Sequence, residues 1–188
     1  MKSSAKPIST LTLVLCAMFA ALMAVSAWIS IPMSSGISIT LQLLAIMTCA
    51  SLLPPVPATL SVLAYELIGL VGLPVFSNFG SGAGVLLGVT GGYLVGFIPA
   101  AWLTSFLISR WGRQVWKQFI AMVLGILLCY AFGSVWFMVS LGRTLQQTLA
   151  VCVIPYIPFD LIKIALSCLL STLLYRPLQQ VLRRGTSR

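Results

Sequence analysis

Six apolar runs, separated by short polar, basic or proline-rich breaks, organise this chain. A helix needs about 20 residues to cross the hydrocarbon of a bilayer. The runs predict helices over Leu11–Ile31, Ile39–Leu53, Ala58–Leu73, Gly84–Ile108, Phe119–Val139 and Pro158–Tyr175. The second and third are short for a span. Between them Pro54-Pro55-Val56-Pro57 interrupts the helical pattern, because proline cannot continue a helix. The pattern predicts an all-α integral membrane protein, one transmembrane domain over residues 1–188 with six transmembrane helices.

Composition makes the bilayer the solvent. The chain is 60% apolar and only 7% charged, with a mean hydropathy of +1.08. A soluble domain carries charge on about a quarter of its positions. Only Glu66 and Asp160 are acidic, and the formal net charge is +9. That charge does not indicate nucleic acid, because it forms no exposed basic face with interleaved aromatics. Instead Lys2 and Lys6 precede the first helix, Arg110, Arg113 and Lys117 join the fourth to the fifth, and Arg176, Arg183, Arg184 and Arg188 follow the sixth. Six helices put these three places on one side. Arg143 is alone on the other, and Lys163 lies within the sixth helix. The positive-inside rule then predicts cytoplasmic termini in a cytoplasmic (inner) membrane. A rival reading is a signal peptide, with Lys2 and Lys6 before Leu11–Val25 and Val25-Ser26-Ala27 as the cleavage site. Cleavage would split the basic termini across the membrane, so the charge count favours an uncleaved helix.

Candidate chemistry lies on the outward side, where the connections Pro32–Ser38, Pro74–Ala83 and Ser140–Ile157 are polar and adaptable. Asp160 and Lys163 share a helix face three residues apart. Intramembrane ionisable residues are functional by default, and the pair offers an acceptor and a cation to a pocket. A structural ion pair is the alternative. Gly84, Gly88, Gly92 and Gly96 form a ladder in the fourth helix, best read as a close-packing stripe. Tyr93 points off it, with a ring and hydroxyl suited to a ligand. Ala17, Ala20, Ala21 and Ala24 form one small-residue face that either packs inside or docks a partner helix. Glu66 either lines the site or bonds a neighbouring helix.

Absences narrow the function. There is no histidine and no phosphate-cradling GxxxxGK[ST] motif, so the chain shows no sign of hydrolysing ATP itself. Two acids cannot supply a general acid/base pair and metal ligands as well. No catalytic residue, metal or cofactor is expected. A membrane enzyme using Ser167 or Tyr93 is the alternative class, and a pure packing protein is another. The five cysteines form no CxxC pair and read as small packing residues.

Several stretches together resemble the BioY family, the biotin-specific substrate-binding (S) components of energy-coupling-factor (ECF) transporters. They are Gly72–Phe76, Gly88-Val-Thr-Gly-Gly-Tyr-Leu-Val-Gly-Phe97, Ala17–Ala24, Ile39-Thr-Leu-Gln42 and Pro158-Phe-Asp-Leu-Ile-Lys163. The resemblance covers roughly Ala17 to Leu174. It implies a six-helix S-component bundle with a vitamin pocket near the outer face, taking up biotin as substrate rather than cofactor. It makes Asn78, Tyr93, Asp160 and Lys163 the leading biotin contacts, with Thr40 and Gln42 behind them. It also implies that Ala17, Ala20, Ala21 and Ala24 meet the transmembrane coupling subunit of an ECF module, whose ATPase subunits supply the energy. Another vitamin, or a solitary biotin transporter, is the runner-up. Val89 stands where the family usually has proline, Ser34–Ser38 where it tends to carry prolines, and Glu66 where it is usually apolar.

Overall fold

The computed structural model describes residues 9–33 and 36–186, with side chains as far as residue 180. Lys2, Lys6, Ser34, Ser35 and Arg188 lie outside the described residues, as do the side chains of Arg183 and Arg184.

Helix α1 spans Thr10–Trp28 and opens on Ser9, whose hydroxyl accepts from the Thr12 N–H at 3.2 Å. It stops earlier than expected. Proline disfavours helical geometry in the residue before it, and Pro32 follows Ile29-Ser30-Ile31. The chain instead forms β1 (Ser30–Ile31), paired antiparallel with β2 (Ile39–Thr40) in the register Ser30 to Thr40 and Ile31 to Ile39. This hairpin corrects an all-helical reading. It takes residues expected at the end of the first helix and the start of the second, and their β-branched side chains favour strands.

Helix α2 covers Gln42–Leu52 and α3 covers Pro55–Leu70. The prolines break the chain as expected, yet they also begin α3. Pro55 occupies its first position, where a missing N–H costs nothing. After α3 the chain turns through Gly72, at φ 110°, into a short 3-10 turn at Ser77–Phe79.

The predicted fourth helix is two helices, α4 (Ala83–Leu87) and α5 (Gly91–Trp111). Gly88, Gly91 and Gly92 weaken helix formation, and β-branched Val89 and Thr90 lie between them. The Trp136 indole fixes the break by donating to the Gly88 carbonyl at 2.9 Å. The turn is tight enough that a Cβ on Gly91 would lie 1.7 Å from the Leu86 carbonyl oxygen. The glycine ladder is therefore not one stripe. Gly92 and Gly96 lie against Trp136, Phe132 and Cys129 of α6 (Val115–Leu141), whereas Gly84 faces open space.

Two more differences follow α6. The long connection expected there contains α7 (Leu145–Cys152), started by a capping box between Thr144 and Gln147. Helix α8 runs Ile157–Thr186, well past Tyr175.

Helix α5 packs along α6, α2 lies against α8, and α3 is held between α1 and α5. Among the described residues, four helical stretches are long and apolar enough to cross a membrane: Thr10–Trp28, Gly91–Trp111, Val115–Leu141 and Ile157–Gln180. Helices α2 and α3 are apolar but shorter. The surface of α1 shows what the solvent is, since Leu13, Val14, Met18, Leu22 and Val25 are all exposed. Polar groups face inward instead and find carbonyls across helices, as Ser105 does with Leu53 at 2.6 Å and Ser167 with Leu44 at 3.1 Å. The Ser167 hydroxyl is thereby committed to structure. All five cysteines are free and buried.

The alanine face of α1 divides. Ala20 and Ala24 are buried in the core, while Ala17 and Ala21 are exposed. At about 100° per residue the four cover an arc about 100° wide, and the edge of the bundle passes through it.

Candidate binding site

The sequence places Asp160 in the first turn of α8, where the helix dipole favours a carboxylate. Lys163, one turn on, donates to Asp160 Oδ1 at 2.8 Å. From α6 the Tyr130 hydroxyl donates to Asp160 Oδ2 at 2.5 Å. Both carboxylate oxygens therefore have a donor, and both charged side chains are at most 10% exposed. Such hydrogen bonds offset part of the cost of burying an ion pair.

Asp160, Lys163 and Tyr130 line one end of a cavity of about 80 Å³. Its other walls are mostly apolar or aromatic, with Leu43 from α2, Tyr93 and Phe97 from α5, and Ile126 from α6, and Ser38 and Thr40 add hydroxyls. Tyr156 completes it and donates to the Ile37 carbonyl at 2.6 Å, holding the approach to β2 against the start of α8. The Tyr93 hydroxyl donates to the Cys152 carbonyl at 3.3 Å, and its ring rests where Gly133 leaves room.

A second cavity of about 70 Å³ adjoins the first across Ser38, Thr40, Tyr93 and Phe97. Gln42, in the first turn of α2, lines it and is 4% exposed. Its Nε2 has no hydrogen-bond partner among the described residues. A buried donor left unpaired costs about 1–3 kcal/mol, so this amide is poised for an acceptor.

Of the residues singled out from sequence, Tyr93, Asp160, Lys163 and Thr40 meet in the first cavity, and Gln42 joins Thr40 and Tyr93 in the second. Asn78 is placed elsewhere and lines neither. Its Oδ1 accepts from Ser30 Oγ and its Nδ2 donates to Ser38 Oγ, each at 2.9 Å. It adopts a left-handed φ of 54°, which asparagine tolerates better than most residues. In this position it ties the hairpin to the segment after α3. Glu66 is buried and lines neither cavity, and its Oε1 has no partner among the described residues.

Tyr130 and Tyr156 were not legible as site residues. Tyr130 did leave a signal, as the one phenol in the run Phe119–Val139, and a polar tip in an apolar span needs a partner. Tyr156 lay in a stretch read as loop, with nothing to mark its inward direction.

Two adjoining cavities, one lined by an ion pair and the other by an unpaired amide, with apolar and aromatic walls between them, suit a small molecule with an apolar body and polar ends. Set in a bundle with helices of membrane-spanning length, they form a candidate small-molecule site inside an integral membrane protein. The BioY family model matches residues 1–180, and the chain belongs to that family. The "Biotin transporter BioY" of Thermotoga maritima is 38% identical over 81% of this chain and 89% of its own length. The protein of the same name from Rhodobacter capsulatus is 31% identical over 89% of this chain and 95% of its own. A crystal structure described as the S-component for biotin from an ECF-type ABC transporter superposes with a TM-score of 0.84 at 26% identity, covering 94% of this chain and 95% of that one. The family and these relatives are transporters, and this chain is a membrane transport protein rather than an enzyme.

Proposed function

We propose that this chain is a biotin-binding S component that captures biotin at the outer face of the cytoplasmic membrane and delivers it with an ECF module. The observation that carries the reading is the Asp160–Lys163 pair at the end of an aromatic-walled cavity, in a fold shared with a biotin S component. Biotin's ureido ring presents two N–H donors and a carbonyl, and its valerate tail ends in a carboxylate. Asp160 supplies an acceptor, Lys163 a cation and Gln42 an unpaired donor, with Thr40 and Tyr93 between them. Asn78 acts from outside the cavity by fixing Ser38, which lines both cavities. Glu66, the residue that would argue for another vitamin, reaches neither.

In this reading residues 1–188 form one transmembrane domain, and α1, α2, α3, α5, α6 and α8 each cross the bilayer with both termini cytoplasmic. The hairpin end, which holds the cavity, faces out. The turn carrying Arg110, Arg113 and Lys117 faces in, as the positive-inside rule requires.

Calorimetry on the detergent-purified chain tests the site. Biotin is expected to bind saturably, and other vitamins are not expected to compete. Gln42→Leu is expected to weaken biotin about tenfold, the worth of one hydrogen bond to a polar ligand group, while leaving the unliganded protein slightly more stable. Unchanged affinity in this variant would remove Gln42 from the site.

The exposed half of the alanine face is the docking surface for the transmembrane coupling subunit, which links the chain to the ATPase subunits. Ala17→Leu and Ala21→Leu are expected to preserve biotin binding and melting temperature while lowering module-dependent uptake in cells. Ala20→Leu, in the core, is expected to cost about 1–3 kcal/mol of stability. Normal uptake by both surface variants would refute the docking role.

A further inference from the structure

The end of the bundle away from the hairpin contains a third, larger cavity of about 310 Å³, between the α2–α3 turn, the end of α5 and α8. Arg113, in the α5–α6 turn, is the only charged residue lining it among the described residues. Its guanidinium stacks on Tyr175, 3.5 Å from the ring centroid. Nη2 donates to the Ser51 carbonyl and, at 3.3 Å, to Ser171 Oγ. Gln118 secures the same turn, donating to the Arg113 carbonyl at 2.7 Å and accepting from Ser171 Oγ at 2.7 Å.

This cation is held in place and, among the described residues, has no counter-charge. The chain has only two acids. Asp160 is paired with Lys163, and Glu66 lies on α3 and does not line this cavity. Among the described residues, Arg113 Nε and Nη1 have no protein partner, and neither does the amide of Gln179, which lines the same cavity. A planar fork with free donors matches the oxygens of a phosphate better than an ammonium does.

The surroundings identify which phosphate. Trp111 and Trp116 flank the turn at 42% and 61% exposure, and such tryptophans settle at headgroup depth. Arg110 lies over the Phe106 ring and Lys117 over the Trp116 ring, keeping two more cations at that level. Exposed Val115 and Leu174 offer apolar surface for acyl chains. We propose that this cavity binds the phosphodiester of an anionic phospholipid, with Arg113 as the anchoring cation and Gln179 as a second donor. Basic pockets between transmembrane helices on the cytoplasmic side take such headgroups.

Native mass spectrometry and thermal melting of the purified chain test this with dioleoyl phosphatidylglycerol, dioleoyl phosphatidylcholine and inorganic phosphate as probes. The expected result is one retained phosphatidylglycerol, preferred about tenfold over phosphatidylcholine, with a rise in melting temperature from binding the folded state. Arg113→Gln should remove the preference. Gln179→Glu leaves every described Arg113 contact in place and should remove it too, which covers the case where Arg113→Gln fails to fold. Equal retention of the two lipids, or an unchanged preference in either folded variant, would overturn the proposal. Protection by inorganic phosphate without a lipid preference would mean a soluble anion, and would overturn the lipid assignment. Biotin affinity, measured on the same samples, should not change in either variant, so the lipid site and the biotin site fail or stand separately.

Discussion

Asp160→Ala is expected to weaken biotin binding at least about 100-fold and to lower the melting temperature of the unliganded protein. Three groups depend on this carboxylate. The Lys163 ammonium, itself buried, would lose its ion-pair partner, and an uncompensated buried charge costs about 3–5 kcal/mol. The Tyr130 hydroxyl would lose its acceptor, at about 1–3 kcal/mol. In the proposed site, biotin would lose an acceptor and meet a displaced lysine. Asp160→Asn separates these effects, because it keeps the shape and removes the charge. It should recover part of the stability and little of the affinity. Calorimetry and melting curves on the three proteins provide the check. Wild-type affinity in a folded Asp160→Ala variant would show that the pair is structural and that the site lies elsewhere.

Gly92→Ala is expected to destabilise the bundle by about 1–3 kcal/mol, the usual cost of overpacking. A Cβ there would sit 2.1 Å from Trp136 Cβ and 2.9 Å from the Phe132 carbonyl oxygen. Neither atom is the tip of a flexible side chain, so α5 would have to move away from α6. The movement would carry Tyr93 with it and disturb the wall shared by the two cavities. Gly84→Ala should be silent or slightly stabilising, because nothing lies within 4 Å of that position. Melting temperatures of the two variants decide the matter. Equal effects would mean that the ladder acts as one stripe after all.

That pair of variants shows how far the chain could be read without coordinates. Spacing of four residues aligned Gly84, Gly88, Gly92 and Gly96 on paper, but alignment holds only if the helix is continuous. The break at Gly88–Thr90 depends on Trp136, 48 residues away, capturing the Gly88 carbonyl. No local pattern carries that contact. The hairpin was missed for a more local reason, since Ile29-Ser30-Ile31 reads equally well as the end of an apolar helix. The apolar runs themselves were legible, because lipid demands them and leaves few alternatives. The Asp160–Lys163 pair was legible because ionisable residues are so scarce here that each one needs a reason. Tyr130 and Tyr156 were harder to find, because a phenol suits both an apolar wall and a polar site. The alanine face illustrates a different limit. Its spacing was right, but the position of the bundle edge across it is set by the way α1 packs on α2 and α3.

The burial of all five native thiols has a practical use. Interior cysteines shielded by packed side chains are inert to bulky reagents. A single cysteine introduced at an exposed position, such as Arg143→Cys beside α7, would be the one handle a maleimide dye could reach in the folded protein. Fluorescent or spin reporters could then follow the protein in a vesicle without first stripping it of its own sulfur.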